Sequence, residues 1–354
     1  MSQMLEEALS APAVVAAQLA EAPRVAALAT QLAAQDWPAA LTVARGSSDH
    51  AASYFAALVT RRLGVPVASL PMSTVTLHDS ALRVAGQLAV AFSQSGRSPD
   101  LVETMQALRH GGAATVALVN APASPLAQAC AHALPLLAGT EQSVAATKSY
   151  IAMLSMSALL VGHLEAARGG GRALLDACAG LPAALAAAAA QDWSALVPAL
   201  RGAQRMIVLG RGAGLAIAQE AALKLKETSG IQAEAFSGAE VRHGPMEIIG
   251  DGYPLLVFAP RGPEQAGLLA LAAEMRARGA RVLLAAPAGT NNAKFPVELP
   301  GELPVELPLT PAGHALLDPI CAIQSFYIAA QALAVARGRN PDRPQYLRKV
   351  TETR

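Results

Sequence analysis

The chain has 354 residues, 53% of them hydrophobic, and a formal net charge of +1. That length suits two domains of ordinary size, and so apolar a composition excludes a disordered chain. The near-zero charge excludes the basic face of a nucleic-acid or membrane-surface protein. An alanine-rich stretch over about 5–34 predicts one or two helices and makes 1–36 an N-terminal helical segment. Strands are then expected near 40–44, 66–70, 87–92 and 114–119, with helices at 49–62, 99–111 and 143–166, giving a first domain over 37–167. Residues 168–200, with Gly169-Gly170-Gly171 and alanines near Ala186, read as a helical linker. Strands near 205–210, 253–258 and 281–285, with helices at 214–229, 263–278 and 313–336, make a second domain over 201–337. The turn-rich stretch 338–354 reads as a tail. Short apolar runs that end in Gly/Ser turns and lead into helices are the βαβ signature: an α/β fold, each domain a parallel sheet with helices on both faces.

The two domains are copies. Ala44-Arg45-Gly46-Ser47 follows an apolar run, and Gly210-Arg211-Gly212-Ala213 does the same 166 residues later. Leu88–Phe92 leading to Gly96 recurs as Pro254–Phe258 leading to Gly262 at the same offset. Gly112-Ala113 before a strand recurs as Gly279-Ala280, at an offset of 167. A constant offset over three strand–loop–helix units indicates duplication.

The densest local signal is Ser93-Gln94-Ser95-Gly96-Arg97-Ser98-Pro99-Asp100, between an apolar strand and a helix. Ser98 suits an N-cap and Pro99 the first helical position. Hydroxyls and backbone N–H groups at a helix N-terminus, beyond the carboxyl end of a parallel strand, suit a phosphate. An ordinary capped polar turn accounts for the loop alone equally well. Ser47-Ser48 after the preceding strand, and Ser143 to Lys148 as a third hydroxyl-rich helix start, favour phosphate. The second copy has Ala259-Pro260-Arg261 at the matching place, so only the first copy is expected to bind it.

The second copy is rich elsewhere. Glu220, Lys224 and Glu227 share one helical face by their spacing, followed by Glu234, Glu240 and His243-Gly244-Pro245. A solvated charged face and a structural histidine are the plain alternatives. Only five of the 27 basic residues are lysines (Lys148, Lys224, Lys226, Lys294 and Lys349). Where arginine serves so generally, a retained lysine marks places that need a compact amine. Gly210-Arg211-Gly212-Ala213-Gly214 fails the dinucleotide fingerprint at Leu215, no phosphate-loop lysine motif occurs, and no cluster of spacings suggests a metal, so neither cofactor nor metal is expected. Cys130, Cys178 and Cys321 lack C-x-x-C spacing and are expected as buried free thiols. No apolar run reaches the ~18 residues of a membrane span, the longest candidate being Tyr150–Gly162, and Glu6-Glu7 argue against a signal peptide. A cytoplasmic location is the expectation.

Gly46-Ser47-Ser48, Ser93-Gln94-Ser95-Gly96, Ala145-Ala146-Thr147-Lys148, Ala222-Leu223-Lys224-Leu225-Lys226-Glu227, His243-Gly244-Pro245 and Leu347-Arg348-Lys349-Val350-Thr351 together resemble the sugar isomerase (SIS) family. Their order resembles the isomerase portion of glucosamine-6-phosphate synthase, while Arg45 and Arg97 resemble free-standing two-SIS proteins such as the type II glucosamine-6-phosphate deaminases. The resemblance implies two tandem SIS domains with flavodoxin-like three-layer α/β/α architecture. It implies that Ser48, Ser93, Gln94, Ser95 and Ser98 hold a sugar phosphate, with Val144 and Ala145 also on the substrate. It implies that Glu227 moves a proton between C1 and C2, Lys224 supports developing charge, His243 assists ring opening, and Lys349 lines the sugar and forms an imine. It further implies a homodimer with shared active sites, His243 reaching the neighbour's site. The activity implied is deamination of glucosamine 6-phosphate to fructose 6-phosphate and ammonia. The alternatives are glutamine-independent amination of fructose 6-phosphate, deglycation of a fructosamine phosphate, and a non-catalytic sugar-phosphate sensor. The chain opens Met1-Ser2, without a terminal cysteine nucleophile, so glutamine is not expected to be used.

Overall fold

The computed structural model describes residues 1–290 and 305–349. The chain forms two compact units. The N-terminal unit comprises 13–141, 148–179 and, from the tail, Arg348 and Lys349. The C-terminal unit comprises 1–12, 142–147 and the described residues of 180–347. The units are therefore threaded, whereas the sequence alone suggests continuous bounds.

In the N-terminal unit five strands, β1 (Ala40–Val43), β2 (Val67–Ser69), β3 (Leu88–Ser93), β4 (Ala114–Val119) and β5 (His132–Pro135), lie in the order β2-β1-β3-β4-β5. All its pairings are parallel, with Ala40 opposite Leu88 and Leu88 opposite Ala114. The C-terminal unit has β6 (Arg205–Gly210), β7 (Gln232–Ser237), β8 (Pro254–Phe258), β9 (Arg281–Pro287) and β10 (Val305–Leu309), ordered β10-β9-β8-β6-β7. Read from its other edge, this all-parallel sheet repeats the order of the first. The duplication seen in the sequence is thus a duplication of fold, two α/β domains with parallel sheets.

Central strands of parallel sheets are covered on both faces, so they read as continuous apolar runs. All six residues of β3 are buried, and Phe92 packs on Phe55 at 5.6 Å between ring centroids. The first helix of each copy, Ser47–Leu63 and Ala213–Ser229, starts at a glycine of matching geometry: φ/ψ of 55°/−134° at Gly46 and 56°/−133° at Gly212. A side chain at this positive φ would be strained, and glycine alone enters it without cost.

Several expectations are corrected. β5, β7 and β10 were not anticipated. The 143–166 helix begins only at Lys148, and the N-terminal segment holds three helices, Gln3–Leu9, Ala11–Ala20 and Ala22–Ala33. Residues 339–347 do not hang loose: Asp342 accepts the backbone N–H groups of Gln3 and Met4 at 3.0 and 2.8 Å. Two helices, Lys148–Ala167 and Ala315–Ala336, are long and apolar enough to cross a membrane by length and composition, against the sequence reading. They are 83% and 72% buried within the protein, as core helices are. The three cysteines are buried free thiols, each pushed up to about 12 by burial.

Candidate functional site

Two groups of residues carry chemistry, one in each unit. In the N-terminal unit a cavity of about 330 Å³ opens at the carboxyl ends of the β1 and β3 strands. It is lined by Ser48, Ser93, Gln94, Ser95 and Ser98, with Arg45 and Lys349. The loop from 93 to 98 folds on itself. The Gly96 N–H donates to Ser93 Oγ at 2.9 Å, and the Gly96 carbonyl accepts the Leu126 N–H at 3.1 Å. Gly96 has φ +63°, and a Cβ there would collide with Ser124 Oγ. Both facts require glycine, because the turn that exposes the hydroxyls leaves no room for a side chain. Ser98 occupies the N-cap of the Pro99–His110 helix but makes no side-chain cap bond, unlike the capping role its position suggests.

Lys349 reaches this cavity from the tail. Its ammonium donates to Glu141 Oε2 at 2.7 Å, and that carboxylate is wholly buried, also accepting the Ser149 N–H at 3.1 Å and hydroxyl at 2.6 Å. Glu141 is thus the anchor that fixes the lysine. On the cavity's other side Arg45 Nε and Nη2 donate to Asp100 Oδ2 at 3.0 and 2.8 Å, and the Asp100 side chain is likewise wholly buried.

Val144 and Ala145 belong with the C-terminal unit. The Val144 N–H donates to the Asp342 carbonyl at 2.9 Å, and Ala145 is buried. Ser143 does not present its hydroxyl at a helix start, as the sequence suggested. The buried Glu7 carboxylate holds it at 2.5 Å, and also accepts the Ser143 N–H at 3.2 Å and the Gln142 N–H.

The charged face of the Ala213–Ser229 helix is not solvated. Glu220 and Lys224 are wholly buried, and Glu227 retains 19% side-chain exposure. Lys224 Nζ pairs with Glu227 and lies 3.4 Å from Glu220 Oε1, which also accepts the Tyr327 hydroxyl at 3.0 Å. Burial by itself lowers the Lys224 pKa, but the charges of Glu220 and Glu227 with their hydrogen bonds outweigh it, and the net shift is upward. The arrangement keeps an ammonium next to a carboxylate that remains partly accessible. Such a pair can move a proton at carbon while holding a fixed positive charge beside it. His243 closes the Glu240–Arg242 turn, its N–H donating to the Glu240 carbonyl at 2.9 Å, and its side chain is exposed ahead of Gly244 and Pro245.

The matching loop of the second copy has turned inward. Arg261 stands at the place of Ser95 and donates to both Asp318 carboxylate oxygens at 2.8 Å and to the Ala312 carbonyl at 2.5 Å.

Glu7, Asp100, Glu141 and Tyr327 were not singled out from the sequence. Asp100 closes the serine-rich motif and Glu141 lies just before Ser143, so an acid beside each run of hydroxyls was the available signal. Tyr327, within an apolar helix, gave none.

The chain is thus a duplicated α/β protein with a parallel sheet in each copy, a hydroxyl-lined cavity in one copy and a largely buried Glu–Lys–Glu cluster in the other. The SIS domain model matches residues 35–162 and 199–292, and the chain belongs to the SIS domain family. It is 36% identical over 323 residues to a glutamine–fructose-6-phosphate aminotransferase of Aeropyrum pernix, covering 88% of this chain and 50% of the relative. This chain spans about half the length of the curated relatives it matches. A Silicibacter pomeroyi protein with the provisional name phosphosugar isomerase superposes with a TM-score of 0.88 at 38% identity, covering 97% of this chain and all of that one. The Thermotoga maritima glucosamine-6-phosphate deaminase shares the fold, with a TM-score of 0.72 at 20% identity over 99% of this chain and all of that one.

Proposed function

We propose that the protein is an enzyme of the SIS type acting on an amino sugar phosphate, converting glucosamine 6-phosphate and water to fructose 6-phosphate and ammonia. The observation that carries this is the Glu220–Lys224–Glu227 cluster: a buried ammonium between two carboxylates, one of them partly exposed. A sensor would need the phosphate loop but not Glu227, His243 and Lys349 together.

In this reading the 6-phosphate lies against Ser48, Ser93, Gln94, Ser95 and Ser98, with Val144 and Ala145 on the sugar. His243 assists ring opening to the C1 aldehyde. Glu227 takes the C2 proton and returns it to C1, while a second proton passes from the amine to O1, which leaves the C2 amine as an imine and C1 as an alcohol. Lys224 stabilises the negative charge that develops between these steps. Water then adds to the C2 imine and ammonia leaves, giving the ketose. Lys349 lines the sugar and condenses with the open-chain ketose to an imine, releasing water. The active unit is a homodimer, with His243 serving the neighbour's site, in the cytoplasm. The curated relatives' names favour a second reading in which the same groups run toward the amino sugar from fructose 6-phosphate and free ammonia.

The test is the purified protein with glucosamine 6-phosphate, following ammonia and fructose 6-phosphate together. The reverse reaction is measured with ammonium and with glutamine. Stoichiometric appearance of both products supports the first reading. Faster net synthesis from fructose 6-phosphate with ammonium, and little deamination, selects the second. Substrate binding without either product leaves a sensor.

A further inference from the structure

We propose that Arg45, clamped by Asp100, is a direct ligand of the substrate's phosphate, and that Asp100 is the residue that positions it. This rests on the reading that the loop 93–98 holds the phosphate. Arg45 lines the same cavity as Ser48, Ser93, Gln94 and Ser95, and its side chain remains 57% exposed. Its Nε and Nη2 are committed to one oxygen of Asp100, while the other oxygen of that carboxylate accepts the Leu101 N–H at 2.9 Å. The guanidinium is therefore held in one orientation, with Nη1 left as donor toward an anion. A long, flexible cation loses rotamer freedom on binding; a clamped one has lost it beforehand.

Charge balance leads to the same assignment. Asp100 is a wholly buried carboxylate in the first turn of the Pro99–His110 helix, at the phosphate loop itself. Alone it would repel a phosphate dianion and cancel the favourable helix N-terminus. Serines and a glutamine donate hydrogen bonds but bring no charge. The second cation of the cavity, Lys349, is neutralised by Glu141 at 2.7 Å. Arg45 is paired as Lys349 is, but it keeps 57% of its side chain exposed against 22% for the lysine, and so remains the more accessible charge-assisted donor for a phosphate. The second copy gives the contrast: Arg211 recurs at the place of Arg45, Ala266 replaces Asp100, and Arg261 is turned away to Asp318. The clamped arginine and the hydroxyl loop occur in the same copy.

The experiment is calorimetric titration of the full-length protein with inorganic phosphate, with the KM for glucosamine 6-phosphate as a second readout. The variants are Arg45→Ala, Asp100→Asn, the double Arg45→Ala/Asp100→Asn, and Ser95→Ala as a control for the cavity. The double variant removes the whole ion pair and so leaves no orphaned buried charge; thermal melting checks that each variant is folded. Arg45→Ala is expected to weaken phosphate about 10- to 100-fold, the loss of one hydrogen bond to a charged group, and the double variant to stay as weak. Recovery of the double variant to the wild-type affinity would make Arg45 a mere neutraliser of Asp100 and overturn the proposal. An effect of Ser95→Ala with none of Arg45→Ala would overturn it while leaving the phosphate loop in place. If the wild-type protein binds no phosphate, the reading of the loop falls and this proposal with it.

Discussion

The two repeats share a backbone and differ in what they do with it. Each carries the same five-strand order, and each starts its first helix at a glycine whose dihedrals agree within 1°. At the loop after the third strand they part. In the first copy Gly96 bends the chain so that serines face a cavity; in the second Arg261 folds back onto Asp318. The second copy instead carries the buried Lys224 between its two acids. Duplication supplied two equivalent sheet ends, and the two copies carry their polar groups at different places on them.

The largest effect that sharpens this division concerns the second copy. Glu227→Gln should lower turnover by about 10²–10⁴, the usual worth of a positioned acid–base group, while affinity for the sugar phosphate is retained in equilibrium titration. Turnover near that of the wild type would remove the catalytic task from this copy.

Next in size is stability. Lys224→Ala leaves two acids facing each other, one wholly buried, and should cost about 3–5 kcal/mol in denaturant unfolding. The pH dependence has a definite sign. The folded Lys224 pKa is raised, so the ion pair's contribution is complete below the ordinary lysine value of about 10.4 and fades as pH rises through the higher folded value. Alkaline unfolding of the wild type should therefore show a loss above that pH that Lys224→Met lacks. Equal alkaline profiles would mean that the pair does not stabilise the fold.

A smaller effect separates the two loops. Gly96→Ala meets the Ser124 side chain and a φ of +63°, and should cost about 1–3 kcal/mol from overpacking alone. Gly262→Ala meets only the mobile end of Glu264, so little beyond backbone strain is expected. Melting temperatures that fall equally would mean that the first loop is no more tightly built than the second. The smallest effects concern binding. Ser95→Ala should raise KM about tenfold, whereas Arg261→Ala should leave phosphate affinity unchanged. A fall in affinity with Arg261→Ala would place an anion site in the second copy too.

The central strands were legible because burial on both faces writes them as apolar runs, as in Leu88–Phe92. The missed strands β5, β7 and β10 are all sheet edges. Gln232 and Glu234 of β7 are exposed, and that polar alternation reads as chemistry more readily than as a strand. The candidate residues whose spacing is local, such as Glu220, Lys224 and Glu227, could be grouped from the sequence. Those whose partners are remote could not. Ser143 meets Glu7 across 136 residues, and Lys349 meets Glu141 across 208. No local pattern records such a contact, so the third helix start was misread and the lysine's anchor was missed.

The pinning of residues 142–147 has a consequence for the order of synthesis. Glu7 and its partners Gln142 and Ser143 are made well before Asp342, on which the Val144 N–H and the amides of Gln3 and Met4 depend, up to 339 residues away. Closing so long a loop costs only slightly more entropy than closing one half as long, since the cost grows with the logarithm of length. Its timing is what matters: a nascent chain adds roughly 5–20 residues per second. Until Asp342 is made, only the Glu7 carboxylate is at hand for the segment, whose Val144 N–H waits for the Asp342 backbone carbonyl. A nascent chain stalled short of Asp342 would lack the contacts of Val144, Gln3 and Met4, and limited proteolysis of it should cut at 144–147 where the protein carried past Asp342 resists.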